Sequence, residues 1–275
     1  MKLILKHKNV FANVETVGAY LSVLEIDGHN ILKPADDGIS THGGSAVLVP
    51  FSGRVKNGKY FFEGHEYILP LNDNMGNSIH GFVRKSNFTV IKERKDEIVL
   101  RTEITEESYP TSLILDVKYR AYSNKFLSSF TVANTGSKNS PLIVGAHPYF
   151  TVSNNWKLLF SKPLFEFLAK EYYFPNGKIV RANQKYSNEP SSFYEHLFYK
   201  GGGKISLINE DAVIEIMRHN MDYLTIYTGE FTEGKSIAIE PQSGIPDAYN
   251  SGIGLKIIKP RERMNFWFTI SLNEC

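Results

Sequence analysis

Cysteine is almost absent from this 275-residue chain. The one present, Cys275, is the last residue, so neither an intramolecular disulfide nor a cysteine metal cluster can be built. Excess charge is also lacking, with 31 Lys and Arg against 29 Asp and Glu. That balance gives no electrostatic case for nucleic acid or an anionic membrane as partner. No apolar run approaches the roughly 20 residues of a membrane span. The start, Met1-Lys2-Leu3-Ile4-Leu5-Lys6-His7-Lys8, is basic but its apolar run is too short for a signal peptide. These absences predict a soluble cytoplasmic protein. HExxH and other zinc-like spacings of histidine are missing, as is a G-x-S-x-G elbow. Metal-dependent and serine-triad chemistry therefore have no visible support. Gly201-Gly202-Gly203 lacks the spacing and helix-start lysine of a phosphate loop and reads as a flexible turn.

Helical periodicity is equally scarce, while strand signals fill the chain. Tyr and Phe number 15 and 18, which suits both sheet and stacking against sugar rings. Residues 19–26 are rich in branched and aromatic side chains and run into the Asp27-Gly28 turn. Tyr60-Phe61-Phe62 and Tyr67-Ile68-Leu69 flank Glu63-Gly64-His65 as a second hairpin. Leu113, Leu115, Val117 and Tyr119 alternate, as do Phe126, Ser128, Phe130 and Val132, and Met264, Phe266, Phe268, Ile270 and Leu272. Residues 151–200 are the least regular: loops are expected around Pro175-Asn176-Gly177 and Glu189-Pro190, and a short helix over residues 165–170. The pattern is the same on both sides of the three-glycine turn and shows no repeat. It predicts an all-β protein, a large antiparallel sandwich with few short helices, formed as one domain over residues 1–275.

Four polar residues stand in small or apolar surroundings. Arg54 ends the segment Val49-Pro50-Phe51-Ser52-Gly53. His80 lies in Ser78-Ile79-His80-Gly81-Phe82, where Gly81 would allow close approach of a ligand to the backbone. His147 follows Gly145-Ala146 and precedes Pro148, which holds it extended. Glu240 ends Ser236-Ile237-Ala238-Ile239 and also precedes a proline. A carboxylate there is costly to bury unless partnered or functional. His147 alone reads either as a structural histidine or as a proton-transfer group, and Glu240 either as the partner of a core-edge arginine or as a base. Together they make a workable general acid and base. Paired acids for glycoside hydrolysis, Glu240 with Glu195, are also available, with nothing fixing their separation.

Read together, these segments resemble the aldose 1-epimerase (galactose mutarotase) family. The matching pieces are Val49-Pro50-Phe51-Ser52-Gly53-Arg54, His80-Gly81-Phe82, Gly145-Ala146-His147-Pro148-Tyr149-Phe150, Ile239-Glu240-Pro241 and Pro246-Asp247-Ala248, in the family's order across the chain. The resemblance implies a galactose mutarotase-like β-sandwich with an open cleft for a monosaccharide. It also implies anomer interconversion through the open-chain sugar, with no cofactor or metal, by a monomer or homodimer. By that likeness Glu240 is the base at the anomeric hydroxyl, His147 the acid at the ring oxygen, and His80 a hydrogen-bonding neighbour. Arg54 holds hydroxyls, Gly145 and Ala146 leave room for the sugar, and Tyr149 or Phe150 walls the cleft. Two departures are visible. Gly53 replaces an asparagine common in the family, and Glu195 stands for an aspartate on the far wall. Arg84, in His80-Gly81-Phe82-Val83-Arg84, with Arg54, Lys56 and Lys85 near it, resembles the hexose-6-phosphate epimerase form of the motif and implies a phosphorylated substrate. A catalytically silent sugar-binding module is the alternative from another class.

Overall fold

A computed structural model describes residues 1–170, 173–187, 197–228 and 232–274. More than half of the described chain is strand, and every paired strand is antiparallel. One sheet has eleven strands. Its path runs Lys2–His7, Val10–Glu15, Tyr20–Ile26, Ser45–Leu48, Gly145–Thr151, Ser236–Gln242, Tyr223–Tyr227, Leu197–Gly201, Leu164–Lys170, Phe174–Arg181, with His29–Asn30 beside Tyr20–Ile26. The other has nine and is built on the long strands Glu97–Ile104, Leu113–Ala121, Lys125–Asn134, Arg263–Glu274 and Ala212–His219. The predicted alternations hold: Phe126, Ser128, Phe130 and Val132 are buried, as are Phe266, Phe268, Ile270 and Leu272. Side chains of both sheets, such as Leu5, Phe150 and Ile239 with Tyr119, Phe130 and Phe268, join in one apolar cluster. That cluster is the sandwich core. Among the described residues no helix is long and apolar enough to cross a membrane.

Two local readings are corrected. Residues 165–170 belong to the strand Leu164–Lys170, not to a helix. Phe165 and Phe167 carry no helical stripe; they pair across the sheet with Lys200 and Phe198, and sheet pairing overrides the weak local preference. Pro175-Asn176-Gly177 is not a free loop but part of the strand Phe174–Arg181. That strand is at the sheet edge, where a proline costs no ladder bond, and a register shift between Phe167 and Ala169 absorbs the irregularity. Glu189-Pro190 lies outside the described residues.

The middle of the eleven-stranded sheet is covered on both faces. Ser45–Leu48 and Ser236–Gln242 are buried at every position, and Gly145–Thr151 at all but its last. Their even-and-odd alternation divides them cleanly. Ile237 and Ile239, Ala146 and Phe150, and Leu224 and Ile226 enter the core. Glu240 and Gln242, His147 and Tyr149, and Thr225 and Tyr227 therefore share the opposite face, and all six line a cleft of about 450 Å³.

Candidate active site

The cleft floor is set by strand register. Gly145 pairs with Gln242 and Tyr149 with Ala238, so His147 and Glu240 between them stand level on adjacent strands. Thr225 pairs with Glu240 from the other side. His147 Nε2 lies 3.4 Å from Glu240 Oε1. Both residues are buried, at 5% and 3% exposure. Glu240 is thus partnered by an imidazole; the core-edge arginine considered from sequence is not its direct contact.

A polar chain orients the carboxylate. Ser52 Oγ donates to Gln242 Oε1 at 2.7 Å, and Gln242 Nε2 donates to Glu240 Oε2 and to Thr225 Oγ1, both at 3.0 Å. Burial pushes the Glu240 carboxyl up to about 8, against the opposing pull of the Gln242 N–H and the Arg54 cation. The Tyr149 ring stacks on the His147 ring at 4.8 Å, and Tyr149 Oη donates to the Thr41 carbonyl at 2.7 Å. Tyr149 therefore walls the cleft as expected, whereas Phe150 points into the core. The reading of Gly145 and Ala146 as room for a sugar is corrected. A Cβ at Gly145 would lie 2.7 Å from Ser52 Cβ and 3.3 Å from Gln242 Cγ, so its absence makes space for the chain that holds Glu240. Ala146 faces the core.

The second wall comes from two short connections. Arg54–Val55 pairs with Ser78–Ile79, and this brings Arg54 beside His80. The His80 N–H donates to the Gly53 carbonyl at 3.0 Å, and the Gly53 N–H donates to His80 Nδ1 at 3.3 Å. This exchange places the neutral ring's proton on Nε2. The His80 ring meets the His147 ring edge-on at 5.4 Å. Gly81 does not serve a ligand: a Cβ there would sit 2.1 Å from the Val49 carbonyl oxygen, so glycine is needed for chain packing. At Gly53 the position of a Cβ is occupied by the Pro246 ring, 2.7 Å away, which explains why no side chain stands before Arg54.

Arg54 Nε donates to Asp73 Oδ2 at 2.7 Å. Asp73 Oδ1 also accepts from the Asn77 and Met75 N–H groups, at 2.7 and 2.9 Å. Burial raises the Asp73 carboxyl, but the Asn77 N–H and Arg54 outweigh it and hold it below its ordinary value. The Arg54 guanidinium also lies over the Tyr173 ring, 4.0 Å from its centroid. Arg84 lines the same cleft from the turn Val83–Lys85. Its Nε is buried and, among the described residues, has no hydrogen-bond partner, and burial lowers its proton affinity. Lys56 and Lys85 are exposed and do not line the cleft, so the expected basic group reduces to Arg54 and Arg84.

The structure thus gathers Glu240, His147, His80, Arg54 and Arg84 at one cleft; Glu195 lies outside the described residues. Sequence reasoning missed Ser52, Gln242, Thr225, Asp73, Tyr173 and the Thr41-His42 rim. Gln242 was accessible, since it is two residues from Glu240 and must share its strand face. Asp73 carried a weaker sign, the turn-forming cluster Asn72-Asp73-Asn74 with Gly76-Asn77.

The family model described as aldose 1-epimerase matches residues 1–271. Among curated proteins, the uncharacterized protein YihR of Escherichia coli (strain K12) is 24% identical over 276 residues, covering 94% of this chain and 89% of its own. A galactose mutarotase-like protein from Lactobacillus casei ATCC 334 superposes with a TM-score of 0.86 at 20% identity, over 99% of this chain and 100% of its own. The galactose mutarotase related enzyme from Lactobacillus acidophilus gives 0.86 at 19% identity, over 99% and 97%. The fold is the galactose mutarotase-like sandwich.

Proposed function

The chain belongs to the aldose 1-epimerase family, and from that premise we propose that it is an isomerase interconverting the α and β anomers of a hexose, without a cofactor. Glu240 takes the proton of the anomeric hydroxyl and His147 protonates the ring oxygen. The ring opens, the C1–C2 bond rotates, and closure reverses the two transfers. The observation that carries this reading is a buried imidazole and a buried carboxylate 3.4 Å apart on the floor of a cleft. The anomeric and ring oxygens are bonded to the same carbon, so the two groups that serve them must be neighbours. Carboxylate pairs of glycosidases stand wider, about 5–9.5 Å apart. The cleft's other described carboxylate, Asp73, is taken up by Arg54 and two backbone N–H groups.

The working form holds one proton between His147 and Glu240. The raised affinity of Glu240 makes its carboxylate a stronger base than an ordinary one, matched to neutral conditions. His80, with its proton on Nε2, donates toward the reacting centre, and Arg54 holds hydroxyls. Polarimetry on freshly dissolved α-glucose and α-galactose tests the reading. Acceleration over buffer is expected, and it falls about 10²–10⁴-fold in Glu240→Gln and in His147→Asn. Sugar binding without acceleration would make the protein a silent binding module.

Arg84 favours a second reading, in which the hexose carries a 6-phosphate. A desolvated guanidinium without a carboxylate partner among the described residues suits a bidentate anion. A preference for glucose 6-phosphate over glucose that disappears in Arg84→Ala supports it; equal rates on both sugars refute it.

A further inference from the structure

His147 and Tyr149 flank Pro148 on one strand and so share its cleft face. Residues two apart on a strand stand about 6.8 Å apart. The two rings lie closer, at 4.8 Å between centroids and within 14° of parallel, so they lean together into an aromatic stack. The strand fixes where the imidazole starts but not how its plane is turned, because the last torsion of histidine is broad and roughly two-fold. A flat partner against one face of the ring supplies that constraint. Glu240 Oε1, 3.4 Å from Nε2, then selects between the two flips of the same plane. The His80 ring meets the imidazole from the facing wall.

Tyr149 is itself held at both ends. Its backbone N–H donates to the Gly44 carbonyl, and its carbonyl accepts the Lys33 N–H, both at 2.9 Å. Its hydroxyl donates to the Thr41 carbonyl at 2.7 Å. Burial above all, and then the Glu240 carboxylate, raise the pKa of that hydroxyl beyond its ordinary value, so it stays a donor. With 1% of the residue exposed, the ring cannot turn away without leaving a void. We infer that Tyr149 is a positioning residue: its ring holds the plane of the His147 imidazole, with Nε2 toward Glu240. The consequence for rate rests on the sugar-epimerase reading, but the orientation is read without turnover.

NMR of histidine-labelled protein reads the stack, the His147 signals being those lost in His147→Asn. Protons held over the face of another ring resonate upfield. The His147 ring protons are expected upfield in the wild type and in Tyr149→Phe, and shifted back downfield in Tyr149→Leu. Methyl glucosides and methyl galactosides cannot open their rings, so calorimetric titration with them reads binding alone; polarimetry on the free sugars reads anomerisation. Tyr149→Leu is expected to lower kcat about 10²-fold, the cost of displacing a reacting group by about 1 Å. KM and the affinity for methyl glycosides change by less than about tenfold. Tyr149→Phe, which keeps the ring, recovers most of the loss in kcat. In a His147→Asn background Tyr149→Leu costs little more, because it acts through that imidazole. If urea unfolding shows Tyr149→Leu to be unfolded, the larger and adaptable side chain of Tyr149→Met takes its place, and the wild-type and Tyr149→Phe spectra still decide the stack. His147 ring protons without an upfield shift in the wild type, an unaltered kcat in Tyr149→Leu, or a loss that adds in full to that of His147→Asn would each overturn the assignment. Upfield His147 signals in a wild type that does not anomerise sugars would overturn the enzyme reading and leave the positioning of His147 standing.

Discussion

Replacing Glu240 by glutamine should make the protein inactive and, in alkaline solution, more stable. Burial raises the carboxyl from the ordinary 4.5 to about 8, so the folded state holds this proton more tightly than the unfolded chain. Between pH 4.5 and about 8 the unfolded chain has released the proton and the folded one keeps it. Stability therefore falls as pH rises through that window, and the loss is complete once the folded group ionises. A tenfold change in proton affinity is worth about 1.4 kcal/mol, which bounds the loss at about 5 kcal/mol. The imidazolium form of His147, 3.4 Å away, favours the carboxylate and makes the realised value smaller. Glutamine has nearly the same shape, can still accept the bond from Gln242 Nε2, and does not titrate. Urea unfolding at pH 5, 7 and 9 should give closely matched midpoints for wild type and Glu240→Gln at pH 5. At pH 9 the variant should lead by a few kcal/mol, with anomerisation at least about 10²-fold slower. The same comparison in a His147→Asn background removes the imidazole's own titration. Parallel stability profiles in both backgrounds would refute the argument, because they would mean that Glu240 is already ionised at pH 5.

His147→Asn should lower kcat about 10²–10⁴-fold while leaving the affinity for methyl glycosides within a few fold, by polarimetry and calorimetry. The wild-type rate should pass through a maximum with pH, its acid limb lying above the range of an ordinary carboxyl because Glu240 is raised; a rate flat from pH 4 to about 9 would contradict the pair. Asp73→Asn loosens Arg54 and should raise KM about tenfold with kcat little changed, at a cost of about 2 kcal/mol in urea unfolding. Gly145→Ala drives a methyl group against Ser52 and Gln242. It should cost about 1–3 kcal/mol and slow anomerisation by moving the groups that hold Glu240; an unchanged rate would mean that the Ser52–Gln242 chain does not position the carboxylate.

The strands and the pair His147–Glu240 were legible because both obey the two-residue period. Ile237 and Ile239 mark one face of their strand, so Glu240 and Gln242 must take the other. The irregular parts were less so. Phe165 and Phe167 look neutral between helix and strand until Lys200 and Phe198 pair with them. The roles of the glycines could not be read locally either, since the atoms that exclude a Cβ at Gly53, Gly81 and Gly145 come from Pro246, Val49 and Ser52, brought up by the fold. Asp73 and Tyr173 converge on Arg54 from separate connections, and no spacing rule links them.

His147 and Glu240 sit level on neighbouring strands, so the separation of their backbones is the spacing of a sheet, about 4.7–4.9 Å. Arg54, His80, Arg84, His42 and Tyr173 come instead from turns and short segments that wall the cleft over the middle of the sheet. On the proposed reaction, lengthening or shortening those segments should alter which sugar fits without touching the distance a proton must travel. On that reading the scaffold separates what is transformed from how it is transformed. A library confined to residues 37–42, 72–77 and 83–85 would sample new substrates on an unaltered proton-transfer floor.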